Sequence, residues 1–229
     1  MNVAIIAAAG TGTRMAGKLP KQFLELAGTP IIFHTLKPFE LCDSIHEIIL
    51  VLPAAESAGF LSLANQAGLR KLSHVVPGGR TRAESVQRGL SVVRAATAEI
   101  IAVHDGVRPF VDPEEITRTV EAARNQGAAI LVAPVTDTIK EVSAGEIVRT
   151  LPRGALYRAL TPQCFRYDIL RRAYDGIDSD DPNLTDDSVI VERMGIRVMA
   201  IEGSSRNVKI TTREDLRLAE EIFKEVSGQ

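Results

Sequence analysis

Apolar runs of four to seven residues, separated by amphipathic stretches with helical spacing, recur along most of this chain. That alternation restricts it to a largely parallel sheet covered by helices. The strands these runs predict lie at residues 3–8, 47–52, 73–76, 99–104, 128–134 and 197–201. The apolar run Val3-Ala4-Ile5-Ile6 reads as a buried parallel strand. Helices are expected near 30–40, 57–67, 81–95, 113–125, 167–174, 186–194 and 213–226. Asp112-Pro113-Glu114-Glu115 marks one start, with an N-cap, a proline at the first helical position and acids in the first turn. Thr212 with Asp215 is a weaker capping signal of the same kind. The expected architecture is a Rossmann-like α/β fold, a twisted sheet with helices on both faces. At 229 residues the chain suffices for one such domain, spanning 1–229.

One segment, 136–160, breaks the rhythm. Thr138-Ile139-Lys140-Glu141-Val142 and Ile147-Val148-Arg149-Thr150-Leu151 flank the four-residue turn Ser143-Ala144-Gly145-Glu146, which reads as a β-hairpin. An isolated hairpin is marginal in water. The arm therefore packs on something, either a second copy of the chain, the simpler choice, or its own active site as a lid. Residues 175–187 contain six aspartates, Pro182 and few apolar side chains. They read as a mobile, solvated acidic loop, with a metal site as the alternative.

The first strand opens into Ala7-Ala8-Ala9-Gly10-Thr11-Gly12-Thr13-Arg14-Met15, which leads to Pro20-Lys21-Gln22. A small, glycine-rich turn after a strand lets backbone N–H groups approach a phosphate. Arg14, Lys18 and Lys21 place three cations within eight residues, with no acid among them. A dinucleotide fingerprint is excluded, because Met15 stands where the third glycine belongs and no acid follows the second strand. A Walker loop is excluded because Leu19 replaces the hydroxyl that holds magnesium. Pro20 also disfavours helical geometry in the residue before it. What remains is a polyphosphate site whose own side chains serve chemistry, with a flexible basic surface loop as the alternative.

Two further loops fall at the same edge of a parallel sheet. Pro77-Gly78-Gly79-Arg80-Thr81-Arg82 enters a helix with Ser85 one turn in. Gly79 and Ser85 are candidates to read the edge of a nucleobase; the alternative is an ordinary strand-to-helix loop. In Val103-His104-Asp105-Gly106-Val107-Arg108-Pro109, Asp105 closes an apolar strand, where a carboxylate is costly without a cation. It either orients Mg²⁺, or another divalent cation, together with phosphate oxygens, or pairs with Arg108. His104 reads as a packed strand residue, and His34, His46 and His74 carry no chemistry. No G-x-S-x-G occurs and no serine or cysteine has an evident histidine partner. Cations, glycines and one strand-end aspartate are the equipment of phosphoryl or nucleotidyl transfer. The net charge of −2 gives no global field for nucleic acid. No apolar run reaches membrane length and no signal peptide is expected. Cys42 and Cys164 lack motif spacing, which fits reduced thiols in the cytoplasm.

Taken together, these residues resemble the 2-C-methyl-D-erythritol 4-phosphate cytidylyltransferase family. The resemblance rests on the first loop, Pro20-Lys21-Gln22, residues 78–86 and residues 103–109. It continues through Asp137-Thr138-Ile139-Lys140, Ala159-Leu160-Thr161-Pro162-Gln163, Thr185-Asp186-Asp187 and Asn207-Val208-Lys209-Ile210-Thr211. Gly106, Phe23 and Arg206 depart from residues common at those places. The family implies a nucleotidyltransferase fold and the reaction of CTP with the acceptor to give the CDP-alcohol and pyrophosphate. It implies transition-state roles for Arg14 and Lys21, and acceptor contacts for Arg153 and Lys209 with Thr138 and Thr185 nearby. It also implies CTP contacts from Ala8, Gly10, Gly79, Arg82, Ser85 and Asp105, with Ala9, Gly12 and Arg108 as further substrate-binding candidates. In the family the arginine corresponding to Arg153 reaches across a homodimer from an exchanged arm. The nearest alternative is a cytidylyltransferase of the same fold acting on ribitol 5-phosphate. A regulatory nucleotide-binding protein would have lost Arg14 or Lys21, and this chain keeps both.

Overall fold

A computed structural model gives the structure, which describes residues 1–10 and 19–228. Strand β1 (Asn2–Ala7) comes first. A 3-10 turn at Lys21–Phe23 follows, then the small hairpin β2 (Glu25–Leu26) and β3 (Thr29–Pro30) and helix α1 (Ile31–Leu41). Next come β4 (Glu47–Leu52), α2 (Ala54–Ser57), α3 (Phe60–Gln66), β5 (Leu72–Pro77), α4 (Arg82–Ser91), β6 (Ile100–Asp105), α5 (Pro113–Gln126) and β7 (Ala128–Pro134). The arm is β8 (Lys140–Ser143) and β9 (Glu146–Thr150). The chain then returns through β10 (Tyr157–Arg166), α6 (Tyr167–Tyr174), α7 (Asp187–Glu192), β11 (Met199–Glu202) and α8 (Arg213–Ser227).

Seven strands form one sheet in the order β11-β7-β10-β6-β1-β4-β5. All neighbours are parallel except β10, which runs antiparallel to both β6 and β7. The side-chain period of two sends alternate residues of β1 to opposite faces. Ala4 and Ile6 enter a core with Ile32, Leu36, Phe39, Ile116 and Val120 from α1 and α5. Val3 and Ile5 enter another with Val86, Leu90, Ile169, Leu170 and Val191 from α4, α6 and α7. Helices therefore cover both faces. At Gly89 an added Cβ would lie 2.7 Å from Ile5 Cγ2 and 3.1 Å from Val51 Cγ2, so α4 rests directly on β1 and β4. The α5 start forms as expected, with a complete capping box between Asp112 and Glu115.

Each expected strand is present, with ends moved by at most two residues. The expected helix at 57–67 is two pieces, separated where Gly59 takes a left-handed φ of 79°. One central strand, β10, was not anticipated. Thr161 and Gln163 are buried polar residues within it, and Pro162 lies where the pairing with β7 changes register between Ala159 and Gln163. Proline is tolerated inside a sheet at such an irregularity. The arm is accordingly shorter than 136–160. Its two strands pair only with each other, and Val135 N–H donates to Leu156 O where they leave the sheet. Its turn has left-handed φ at Ala144 (49°) and Gly145 (87°), the pattern of a two-residue type I′ loop.

Candidate active site

Chain order reverses at β1. The strands that follow, β4 and β5, build to one side, and the chain then crosses to place β6 on the other. Ligands bind in an open α/β sheet beyond the carboxyl ends of strands flanking such a reversal. Here the register sets Ala7 opposite Asp105, so Ala8, Ala9 and Gly10 share one crevice with the strand-end aspartate. A cavity of about 360 Å³ opens there, lined by residues that include Ala8, Ala9, Gly10, Lys21, Gly79 and Asp105. Its floor is tight. A Cβ on Gly106 would overlap that of Ala8, and one on Gly78 would overlap that of Ala9. Only glycine lets these loops approach the end of β1 so closely.

Lys21 lines this cavity from the 3-10 turn. Its neighbour Gln22 is buried, and its Nε2 donates to Ala8 O at 2.6 Å. That bond ties the Pro20-Lys21-Gln22 segment to the end of β1. Sequence reasoning gave Gln22 no role, although an amide directly after a candidate catalytic lysine was a usable signal. Across the cavity, Ser85 Oγ donates to Thr81 O at 2.8 Å and accepts from Gly79 N–H at 3.1 Å. The two groups expected to read a base are therefore bonded to each other.

Asp105 is the electrostatic centre. Oδ1 accepts from Arg82 Nε at 3.3 Å, and Oδ2 meets Arg108 Nε at 3.1 Å and Lys209 Nζ at 3.0 Å. Burial pushes this carboxyl upward, but the charges of Arg82, Lys209 and Arg108 overcome it and hold the group well below the usual carboxylate range. Arg108 also donates from Nη1 to Asn207 O at 2.8 Å, which fastens the Lys209 segment to the end of β6. A second cavity of about 190 Å³ adjoins the first. Arg82, Asp105 and Lys209 line both, and Thr161, Gln163 and Thr185 line the second.

The remaining expectations divide by place. Gly12, Arg14 and Lys18 lie outside the described residues. Thr138 is exposed beside the arm, and Arg153 is exposed in the 3-10 turn after it, donating from Nη1 to Thr136 O at 2.8 Å. Neither lines the two cavities described above. His104 is packed as expected: Nε2 bonds Arg108 O at 3.0 Å, Nδ1 bonds Thr161 Oγ1 at 2.9 Å, and burial pushes the ring down to about 4. The six aspartates of 175–187 have structural partners. Asp180 pairs with Arg80 and Asp181 with Arg193, while Asp186 caps α7. Asp187 is wholly buried and bonded to Arg82, a role the loop reading missed. Among the described residues no group of three or more potential metal ligands gathers. Asp105, the strand-end carboxylate with two readings in the sequence, takes the ion-pair one, with Arg108 and also Arg82 and Lys209.

The family model for 2-C-methyl-D-erythritol 4-phosphate cytidylyltransferase (IspD) matches residues 2–225. The chain belongs to this family. A cytidylyltransferase of that name from Pelotomaculum thermopropionicum is 40% identical over 228 residues, covering 99% of this chain and 95% of its own. One from Syntrophus aciditrophicus is 42% identical over 229 residues, covering 99% and 97%. Among solved structures, 4-diphosphocytidyl-2C-methyl-D-erythritol synthase from Anaerococcus prevotii superposes with a TM-score of 0.85 at 29% identity, covering 97% of this chain and 96% of that one. The cytidylyltransferase from Thermus thermophilus gives 0.77 at 31% identity, covering 96% and 97%. The mostly parallel sheet with one reversed strand is thus the IspD nucleotidyltransferase fold.

Proposed function

We propose that the protein transfers the cytidylyl group of CTP to 2-C-methyl-D-erythritol 4-phosphate, yielding 4-diphosphocytidyl-2-C-methyl-D-erythritol and pyrophosphate. The observation that carries this reading is the shared wall of Arg82, Asp105 and Lys209 between a larger and a smaller cavity. Two anionic substrates in adjoining cavities would meet across a cationic partition.

On this reading CTP fills the larger cavity, with Ala8, Ala9, Gly10, Gly79 and Ser85 around it. The acceptor phosphate lies beside Lys209 and Thr185. An oxygen of that phosphate attacks the α-phosphorus in line. A new phosphorus–oxygen bond forms while the bond to the bridging oxygen breaks, and pyrophosphate leaves with the electron pair. Negative charge grows at the α-phosphate, so Lys21 and Arg14 serve by stabilising the transition state. Mg²⁺ would arrive on the triphosphate beside Asp105, where it would offset phosphate charge. The exposed Val142, Ile147, Val148 and Tyr157 on and beside the arm favour a homodimer, with Arg153 and Thr138 delivered to the partner's acceptor cavity. The buried free thiols Cys42 and Cys164 suit a reducing cytoplasm.

Pyrophosphate release with CTP, measured separately with methylerythritol phosphate and with ribitol 5-phosphate, tests the assignment. Strong preference for methylerythritol phosphate is expected. Preference for the ribitol compound would overturn the acceptor, and no turnover with either would overturn the activity.

A further inference from the structure

Arg82 begins α4, where a cation opposes the positive end of the helix macrodipole. Glu84 in the same turn serves the helix, so Arg82 must be held by something else. Its fork is gripped from two distant elements. Nε donates to Asp105 Oδ1 at 3.3 Å, and Nη2 donates to Asp187 Oδ2 at 2.7 Å. Asp187 lines neither cavity and is wholly buried. Its other oxygen, Oδ1, accepts from Tyr174 Oη at 2.5 Å. Its backbone N–H donates to Gln163 Oε1 at 3.0 Å, which anchors it to β10. A buried carboxylate with one oxygen on Tyr174 and the other on an arginine that lines both cavities, its backbone anchored to β10, does more than begin a helix.

We propose that Asp187, backed by Tyr174, is a positioning residue for cytidylyl transfer. It fixes the plane of the Arg82 guanidinium at the partition, so that arriving triphosphate meets a donor already oriented. This rests on the function proposed above. A small misplacement of such a donor is enough to cost a large factor in rate.

The test is a double-mutant cycle on the full chain, with Asp187→Asn, Tyr174→Phe, Arg82→Met and Arg82→Met/Asp187→Asn. Turnover, KM for each substrate, and CTP–Mg²⁺ affinity by calorimetry are measured beside thermal melts. Asp187→Asn should lower kcat/KM for CTP by about tenfold or more. Tyr174→Phe, which keeps the ring packing, should act in the same direction by less, and it answers the question alone if the asparagine variant does not fold. In the Arg82→Met background, Asp187→Asn should cost no further activity beyond about twofold, because its effect runs through the arginine. Parent-like kcat/KM in both folded single variants overturns the proposal. So does an undiminished Asp187→Asn loss on top of Arg82→Met. If neither acceptor is turned over, the activity assignment fails separately, and the same cycle read on CTP affinity still decides the role of Asp187.

Discussion

Lys21 and His104 show how side chains close to one strand end acquire opposite duties. Lys21 lines the cavity, on a segment held by the bond from Gln22 to Ala8. On the transition-state role proposed above, Lys21→Ala should lower turnover by about 10²-fold, the loss of roughly 3 kcal/mol of transition-state stabilisation. Near-normal rates in the folded variant would remove Lys21 from the chemistry. His104 is buried against Phe39 and stays neutral, because burial lowers its pKa to about 4 from near 6.5. Between those values the unfolded chain binds the extra proton and the folded chain does not. Stability accordingly rises with pH across that window. Its His104 share is full above about pH 6.5 and is lost towards pH 4, about 3 kcal/mol in all. Melts of His104→Asn between pH 4 and 7 should show a lower but flatter profile, and an unchanged slope would refute this.

Elements were legible where one local pattern set them, and obscure where distant partners did. The apolar runs and the Asp112 cap announced their strands and helix directly. The loops carrying Lys21, Gly79 and Asp105 could be brought together because strand direction alone gathers them. By contrast, β10 carries Thr161, Pro162 and Gln163 at its centre, and it is recognisable as a strand only once His104 and α7 supply their hydrogen-bond partners. Asp187 pairs with a residue 105 positions away, which no local acidic pattern could indicate. The position of α4 yields a prediction of its own. Replacing Gly89 by alanine gains up to about 1 kcal/mol in helix propensity. Against that, overpacking onto the stiff side chains Ile5 and Val51 costs about 1–3 kcal/mol. The net should be a lower melting temperature and weaker CTP binding, since α4 carries both Arg82 and Ser85. A raised melting temperature would show that the helix lifts off without strain.

At the level of the whole molecule, the arm decides whether one chain is sufficient for chemistry. If Arg153 acts across a dimer, mixing an Arg14→Ala chain with an Arg153→Ala chain restores some activity, because one of the two mixed sites keeps both arginines. Re-mixed dimers that form and stay inactive would assign the arm to its own subunit.

The bond from Val135 to Leu156 closes the sheet before the hairpin begins. The hairpin is therefore severable. If the arm joins two chains, splicing Val135 to Leu156 through a tight turn should leave a stable, CTP-binding protein that has forfeited only its companion and its catalysis.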